Sequence, residues 1–299
     1  MSAAPALDIR GLRIVVKASD GERSIVDGID LSLGRGRIHG LAGESGSGKT
    51  MSALAILGLL PESMKSSGSI VLDAPSDGGE TVELLGASRS VLSAVRGMRI
   101  AMVFQDPSTS LHPQIAVGRQ LTDHVRHHLG LSKAEAKERA IALITRVRVP
   151  DPESALRKYP HQFSGGQRQR IAIAVALACD PDVLLADEPT TALDVTVQAG
   201  VLQLLRELVD ETGLSVLLVT HDLGVMSAVA DDVTVMRAGL VVESAPREQL
   251  FTNPQHDYTK SLLAALPGST LEEDPEQLVA ELLHDHLSHG TEAGESTNG

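Results

Sequence analysis

Residues 43–50, GESGSGKT, have the spacing of a phosphate-binding loop, and we term them the phosphate loop. A run that predicts a strand precedes them, and an Ala- and Leu-rich run that predicts a helix follows. Glycines let backbone N–H groups point inward at an anion, and the helix start adds partial positive charge. Lys49 would reach the β- and γ-phosphates of a nucleotide, and the Thr50 hydroxyl would ligate Mg²⁺. The candidate nucleotide-binding residues here are Gly43, Glu44, Ser45, Gly46, Ser47, Gly48, Lys49 and Thr50.

Two consecutive acids end the apolar run VLLADEP at 183–189. Asp187 is predicted to emerge from a strand beside the phosphate loop, where its carboxylate can hold Mg²⁺ through water. Glu188 points differently and can polarise an attacking water as a general base. Two acids at a strand end often only meet solvent, but their pairing with a phosphate loop favours catalysis.

A second anion-binding helix start is predicted in FSGGQRQR, residues 163–170, which we term the signature segment. Ser164 can cap a helix, while Gly165 and Gly166 leave backbone N–H groups bare. A capped surface helix is the alternative. It does not explain two glycines, each disfavouring helix by about 1 kcal/mol, before an Ala-rich run.

The elements that position these residues alternate between strands and helices. Short strands are predicted over 7–42, with a turn at 18–23, and further strands over 68–85 and 99–104. An all-helical block over 115–178 interrupts them as a separate lobe. After this block come the strand that carries the two acids, an amphipathic helix, a buried strand and a hairpin-like pair around Gly239. This alternation predicts an α/β fold with a largely parallel, covered sheet.

Composition limits the function classes. The 299 residues are 42% hydrophobic, which excludes a disordered or collagen-like chain. Aromatics make up 2% and the net charge is −13, which argues against a nucleic-acid-binding surface. Eight of the acids and no Lys or Arg lie in 261–299, so this end of the chain is strongly acidic. Residues 256–267 predict a helix ended by proline, residues 271–287 are compatible with a second helix, and residues 290–299 predict a disordered end.

Cysteine usage and apolar runs indicate a cytosolic chain without a membrane span. Cys179 is the one cysteine, which fits a reducing compartment. The N-terminal residues MSAAPALDIR lack the pattern of a signal peptide. The longest apolar runs, at 51–60 and 171–179, are shorter than the about 18–20 residues that a bilayer requires. We therefore expect a chain that acts at a membrane only from outside the lipid.

The motifs come in the order and spacing of ABC-transporter ATP-binding subunits, which the chain resembles over 7–245. The resemblance rests on six motifs: GESGSGKT, Gln105 after a strand, FSGGQRQR, LLADEP, TALD at 191–194 and His221 after LLVT. It implies an α/β, RecA-like P-loop NTPase core with an antiparallel β subdomain, an inserted α-helical subdomain at about 106–178 and a C-terminal helical extension. The implied domains are an ABC ATPase domain over 1–252 and an extension with an acidic disordered tail over 253–299.

In that family two subunits sandwich two ATP molecules, each between one phosphate loop and the other subunit's signature. The resemblance implies that Gln105 senses Mg²⁺ and the γ-phosphate, that His221 holds the γ-phosphate and the attacking water, and that Asp194 links the two sites. A lone histidine is more often structural, but a strand end at a nucleotide site favours function. The implied catalytic residues are Glu188, His221 and Gln105; the metal ligands are Thr50, Gln105 and Asp187; and Ser164, Gly165, Gly166 and Gln167 would touch the partner's nucleotide.

Two narrower segments, FQDPSTSLHP at 104–113 and NPQHDYTKSLLAALPG at 253–268, are similar to subunits of oligopeptide, dipeptide and nickel importers. This implies a peripheral ATPase at the cytoplasmic face of the membrane that drives uptake of di- or oligopeptides. Nickel or another small solute is the alternative. The implied partners are two transmembrane permease subunits, a homologous second ATP-binding subunit rather than an identical one, and indirectly an extracellular or periplasmic solute-binding protein. A soluble ABC ATPase in nucleic-acid repair or translation is the rival class, and no nucleic-acid partner is expected.

The chain departs from that branch in its cofactor and adenine residues. ATP and Mg²⁺ are expected, but no cysteine follows Cys179, so ligand count excludes the iron–sulfur cluster that many of those subunits carry. No aromatic residue precedes Phe104, so adenine would lie against aliphatic or guanidinium groups near residues 19–25, with Arg23 as the candidate. A solvated acidic end is a better interpretation than a metal site for His284, Asp285, His286 and His289.

Overall fold

The computed structural model describes residues 4–18, 21–74, 78–106, 110–191 and 193–266, which contain two β-sheets, ten α-helices and a short 3-10 helix over Pro160–Gln162. The strands are β1 (Leu7–Ala18), β2 (Gly21–Leu33), β3 (Ile38–Ala42), β4 (Met64–Leu72), β5 (Val82–Glu83), β6 (Ile100–Val103), β7 (Val183–Asp187), β8 (Ser215–Val219), β9 (Asp232–Arg237) and β10 (Leu240–Pro246). The helices are α1 (Lys49–Ile56), α2 (Arg89–Val95), α3 (Val117–Leu129), α4 (Lys133–Arg146), α5 (Pro152–Ala155), α6 (Gly165–Ala176), α7 (Val195–Thr212), α8 (Leu223–Val229), α9 (Arg247–Thr252) and α10 (Asp257–Ala264). The acidic tail and its histidines lie outside the described residues.

The larger sheet has the order β10-β9-β3-β8-β7-β6. Its strand pairs are parallel except for the β9–β10 hairpin. Strands β3, β7 and β8 are buried along their whole length, as expected for parallel strands covered on both faces. The prediction of a largely parallel, covered sheet and of a hairpin around Gly239 is therefore confirmed.

The carboxyl ends of four adjacent parallel strands meet at one edge of this sheet. The phosphate loop follows β3, His221 lies two residues after β8, Asp187 ends β7, and Gln105 lies two residues after β6. Parallel pairing places these ends side by side, and such an edge is where open α/β sheets bind ligands. The topology thus brings together residues that are up to 178 positions apart between Gly43 and His221.

The smaller sheet is antiparallel, with the order β2-β1-β4-β5. Strands β1 and β2 pair out to Ala18 and Gly21, so the predicted turn over 18–23 is too long. The predicted strand near 81–86 is wrong beyond β5. There the Glu83 carboxylate accepts the backbone N–H groups of Ile70 at 2.7 Å and Leu85 at 3.1 Å in place of a strand partner.

Several helix boundaries differ from the sequence prediction. The Ala- and Leu-rich run over 50–60 predicts a longer helix than the structure has: α1 ends at Ile56, because Gly58 adopts a left-handed φ of 59°. The short helices α2, α8 and α9 were not predicted, although side chains of Ser88 and Asp222 cap the first two. Helix α10 confirms that a helix lies within the predicted range 256–267, although it ends at Ala264 and residue 267 lies outside the described part of the chain. In the described ranges, no helix is long and apolar enough to cross a bilayer.

The buried apolar residues form two clusters on opposite sides of the larger sheet. One joins the smaller sheet, α1 and side chains such as Leu41 and Leu217. The other joins α3, α4, α6 and α7 with side chains such as Val103 and Leu218. The helices that follow Gln105 therefore share a hydrophobic core with the sheet that carries the phosphate loop.

A buried histidine connects β3 to the hairpin. His39 is 5% exposed, and its Nε2 lies 2.8 Å from the Thr234 hydroxyl, which lies 2.8 Å from the hydroxyl of Ser244. Burial lowers the pKa of His39 from 6.5 to about 4, although Asp232 opposes the shift. His39 is therefore neutral in the folded protein at pH 5, where it would be largely protonated in the unfolded chain.

We expect acid to destabilise the protein partly through His39. A pKa that is lowered on folding gives stability that is complete above pH 6.5 and is lost as the pH falls toward about 4. The contribution is roughly 3 kcal/mol. Urea unfolding at pH 7 and pH 5 should show a smaller loss for His39→Gln than for wild type, whereas exposed His112→Gln should behave as wild type. Equal losses in all three proteins would contradict this assignment.

Candidate functional site

The phosphate loop requires glycine at two positions for steric reasons. Gly43 has a φ of 143°, and a Cβ there would lie 2.1 Å from the carbonyl oxygen of Met236. Gly48 has a φ of 106°, and a Cβ there would lie 2.9 Å from Val26. Among the described residues, no side chain caps the start of α1. The backbone N–H groups of this helix start are therefore directed at the loop, where an anion can accept them.

Lys49 lies inside the loop. Its side chain is buried, and Nζ donates to the carbonyl oxygens of Gly43 at 2.7 Å and Glu44 at 2.9 Å. Burial lowers the pKa of Lys49, and the nearby carboxylates of Glu188 and Asp187 oppose this shift. The ammonium is thus held by the backbone of the same loop whose N–H groups would bind phosphate.

Thr50 and Asp187 form a pair of hard oxygen donors beside the loop. The Thr50 hydroxyl donates to Oδ1 of Asp187 at 3.2 Å. Burial raises the pKa of Asp187, and the adjacent charge of Glu188 adds to the shift, while Thr50 and Lys49 oppose it. A buried carboxylate of this kind gains from a nearby cation, and hydroxyl and carboxylate oxygens suit Mg²⁺. The residues present therefore fit a magnesium ion bound together with phosphate.

The carboxylate of Glu188 is the centre of a second group. Its Oε2 accepts from Gln105 Nε2 at 2.8 Å and from the Thr191 hydroxyl at 2.9 Å, and its Oε1 lies 2.9 Å from His221 Nδ1. Burial alone would raise the pKa of Glu188, but the bonds from His221 and Thr191 and the charge of Lys49 lower it below its usual value. Glu188 is therefore an ionised acceptor at neutral pH.

His221 is positioned between Glu188 and solvent. Its side chain is 57% exposed, against 18% for that of Glu188. Because an ionised carboxylate can only accept, Nδ1 of His221 carries the proton in this contact. Glu188 itself has a left-handed φ of 46°, a backbone conformation that non-glycine residues adopt mainly where the surroundings enforce it.

The signature segment begins α6 as predicted. Ser164 Oγ accepts the Gln167 N–H at 3.3 Å, and Gln167 Oε1 accepts the Ser164 N–H at 3.1 Å. This reciprocal cap leaves the N–H groups of Gly165 and Gly166 outside it. Gly166 also has a packing role, because a Cβ there would lie 2.2 Å from Val197 Cγ1 on α7. The sequence prediction of bare N–H groups did not include this contact.

Asp194 lies at the start of α7, where its Oδ1 accepts the Val197 N–H at 3.0 Å. Val197 is the residue that packs on Gly166, so the starts of α6 and α7 are tied together. Among the described residues, no hydrogen bond or ion pair connects the signature segment with the phosphate loop or with Glu188. The structure thus gathers the loop, Asp187, Glu188, Gln105 and His221 at one edge, and keeps the signature segment apart.

Two contacts of the site were missed by sequence reasoning. Thr191 was recognised only as the first letter of TALD, although its position three residues after Glu188 places it one turn away. Tyr258 lies on α10, and its hydroxyl accepts the backbone N–H of Glu44 at 3.3 Å. Arg23, the candidate for adenine, lies exposed on β2 opposite Val16, and residues 19 and 20 lie outside the described part of the chain.

Known proteins resemble this chain along most of its length. The ABC transporter family model matches residues 26–191. A putative peptide import ATP-binding protein of Brucella melitensis is 45% identical over 89% of this chain and 79% of its own length. A second one, from Brucella abortus, is 45% identical over 93% of this chain and 81% of its own length.

Solved structures are similar over most of the chain. The dimeric structure of the bacterial ABC transporter cassette MJ0796 has a TM-score of 0.70 and 26% identity, and covers 81% of this chain and 98% of that one. A post-hydrolysis dimer of MJ0796 bound to ADP and phosphate has a TM-score of 0.69 and 25% identity, with the same coverage. The cbiO1 structure from Clostridium perfringens, part of the ABC transporter complex cbiONQ, has a TM-score of 0.69 and 27% identity, and covers 89% of this chain and 97% of that one.

The two glycines of the signature segment should respond differently to alanine. Gly166→Ala forces a Cβ against Val197 and should lower the free energy of unfolding by about 1–3 kcal/mol. In Gly165→Ala the nearest atom, on Leu193, is 3.7 Å away, so stability should change by less than about 0.5 kcal/mol. Urea unfolding of the two variants measures the difference. Equal stabilities would show that the α6–α7 contact does not constrain this position.

Proposed function

The chain belongs to the ABC transporter family of ATP-binding cassettes, and on that basis we propose that it hydrolyses ATP to drive the import of di- or oligopeptides. The observation that carries the hydrolysis step is the Glu188 carboxylate, ionised and held by Gln105, Thr191 and His221 beside the phosphate loop. The peptide substrate is supported by the names of relatives that are 45% identical along most of both chains.

Binding of ATP follows from the loop. The N–H groups at the start of α1 and the Lys49 ammonium would hold the β- and γ-phosphates. Thr50 and Asp187 would hold Mg²⁺, with Gln105 as a further ligand. When bound, Mg²⁺ supplies positive charge that offsets the charge developing on the phosphates. Without a cation, burial and the adjacent Glu188 charge keep the pKa of Asp187 raised, although Thr50 and Lys49 oppose the shift.

Hydrolysis requires a water aligned with the γ-phosphate. Glu188 would orient that water and accept its proton, and Gln105 and Thr191 fix the rotamer of the carboxylate. His221, with Nδ1 committed to Glu188, would place Nε2 against the γ-phosphate. The contacts of Gln105, Thr191 and His221 with Glu188 are already present in the folded chain, so the carboxylate is oriented before a nucleotide binds.

A complete site would need a second subunit. The signature segment offers backbone N–H groups to an anion, yet it lies apart from the phosphate loop of its own chain. A homologous ATP-binding subunit would bring its own signature segment to this loop, and Ser164, Gly165, Gly166 and Gln167 would contact the nucleotide of that subunit. Asp194, which is exposed at the start of α7, would link the two sites. The dimeric structure of the similar MJ0796 cassette supports this arrangement.

Transport places the chain beneath a membrane. We propose that two permease subunits and, indirectly, an extracellular or periplasmic solute-binding protein complete the importer, with this chain at the cytoplasmic face. ATP and Mg²⁺ are its cofactors. An iron–sulfur cluster is not proposed, because Cys179 is the one cysteine in the sequence and is buried with a raised pKa.

Glu188→Gln should separate binding from turnover. Glutamine keeps the size of the side chain but cannot accept a proton, so ATPase turnover should fall by at least about 100-fold while ATP affinity changes less than about twofold. Phosphate release and binding of a fluorescent ATP analogue measure the two effects. Glu138→Gln, at an exposed position on α4, is the matched control. Wild-type turnover in Glu188→Gln would overturn the assignment of the base.

The substrate is tested in the assembled importer. The chain is co-purified with two permease subunits and a second ATP-binding subunit that assemble with it, and uptake of a labelled tripeptide and of ⁶³Ni²⁺ into proteoliposomes is compared. We expect uptake of the peptide that requires ATP and is abolished by Glu188→Gln. Uptake of nickel without uptake of the peptide would show that nickel, and not a peptide, is the substrate. ATPase activity that responds to nucleic acid and not to the permeases would favour a soluble ABC ATPase.

A further inference from the structure

The extension reaches the phosphate loop through Tyr258. This side chain is 6% exposed, and its hydroxyl accepts the backbone N–H of Glu44 at 3.3 Å. The Glu44 side chain also interacts with the hydroxyl. Burial raises the pKa of Tyr258, and Glu44 adds to the shift, so the hydroxyl stays protonated at neutral pH. The second residue of the loop is therefore held by a residue 214 positions later in the chain.

Tyr258 is itself fixed by its surroundings. The guanidinium of Arg237 lies over the ring, 4.6 Å from its centre. At the start of α10 the Tyr258 N–H donates to His256 Nδ1 at 3.1 Å. The Glu243 carboxylate on β10 accepts the N–H groups of Gln255 at 2.7 Å and His256 at 3.0 Å. Helix α10 is thereby anchored to the hairpin, and the ring has little freedom to move.

The peptide unit between Gly43 and Glu44 is held at both ends. Its carbonyl oxygen accepts from Lys49 Nζ at 2.7 Å, and its N–H donates to Tyr258. Because a peptide unit is planar, fixing the N–H also fixes the direction of the carbonyl. Gly43 has no side chain to resist rotation of this unit. The bond to Tyr258 therefore supplies an orientation that the loop sequence alone does not.

We propose that Tyr258 is a positioning residue of the nucleotide site, which orients the Gly43–Glu44 peptide so that its carbonyl aims the Lys49 ammonium at the phosphates. The proposal rests on the ATPase function above. Loss of the hydroxyl leaves the ring and its packing on Arg237, but it frees the peptide to rotate. Lys49 would then lose a fixed partner, and the effect would fall on ATP binding more than on the hydrolytic step.

Tyr258→Phe tests the proposal in the full chain. Loss of one hydrogen bond of this type predicts a rise of roughly three- to tenfold in the KM and Kd for ATP, with kcat within about twofold of wild type. Hydrogen exchange should be faster in peptides that contain the Glu44 amide and unchanged in the α4 helix. Tyr159→Phe removes the hydroxyl of the other tyrosine, which is 41% exposed on the helical lobe, and should leave KM unchanged.

Each outcome decides between the proposals. A wild-type chain that neither binds nor hydrolyses ATP overturns the ATPase function and this inference with it. If wild type is active, a Tyr258→Phe protein with wild-type KM and wild-type exchange at Glu44 overturns this inference alone. A variant whose melting temperature and ATP affinity fall together while exchange at Glu44 stays as in wild type indicates a merely structural role, and it also overturns the inference.

Discussion

The buried ammonium of Lys49 is the constraint on which the rest of the site depends. A positive charge taken out of water must be paired and hydrogen-bonded, or it would lose its proton. Two carbonyl oxygens of the loop accept hydrogen bonds from the ammonium. The carboxylates of Asp187, at the end of β7, and Glu188, directly after it, lie close enough to oppose the lowering of the Lys49 pKa. The parallel order β3-β8-β7 places the carboxyl ends of these strands at one edge, which brings Asp187 close to Lys49.

The glycines of the phosphate loop and of the signature segment meet two separate requirements. They expose backbone N–H groups to an anion, and they allow close packing of a neighbouring element. The carbonyl of Met236 leaves no room for a side chain at Gly43, and Val197 leaves no room for one at Gly166. The first contact locks the loop against the β9–β10 hairpin, and the second locks the signature segment against α7. Glycine in an anion-binding motif therefore also allows a neighbouring element to pack closely against the motif. This packing stabilises the motif.

Much of the site could be predicted because its residues follow apolar strands closely in sequence. Gln105, Asp187 and His221 each lie within two residues of a strand end, so a parallel sheet is enough to bring them together. Thr191 and Tyr258 could not be placed in this way. Their contacts depend on a left-handed Glu188 and on where α10 docks, and both are set by tertiary packing. Helices α2, α8 and α9 were missed because helices of six or seven residues carry too few turns for a periodic pattern.

The family model ends at residue 191, yet the phosphate loop is held from beyond it. The Gly239 N–H donates to the Ser47 carbonyl at 3.1 Å, and Tyr258 accepts from Glu44. A loop with an unchanged sequence therefore has a conformation that depends on the hairpin and on α10. Because Glu243 anchors α10 to that hairpin, a displacement of α10 would change the contacts at both Ser47 and Glu44 of the loop. Helix α10 therefore contacts the phosphate loop directly, although it contributes no residue to the phosphate-binding motif.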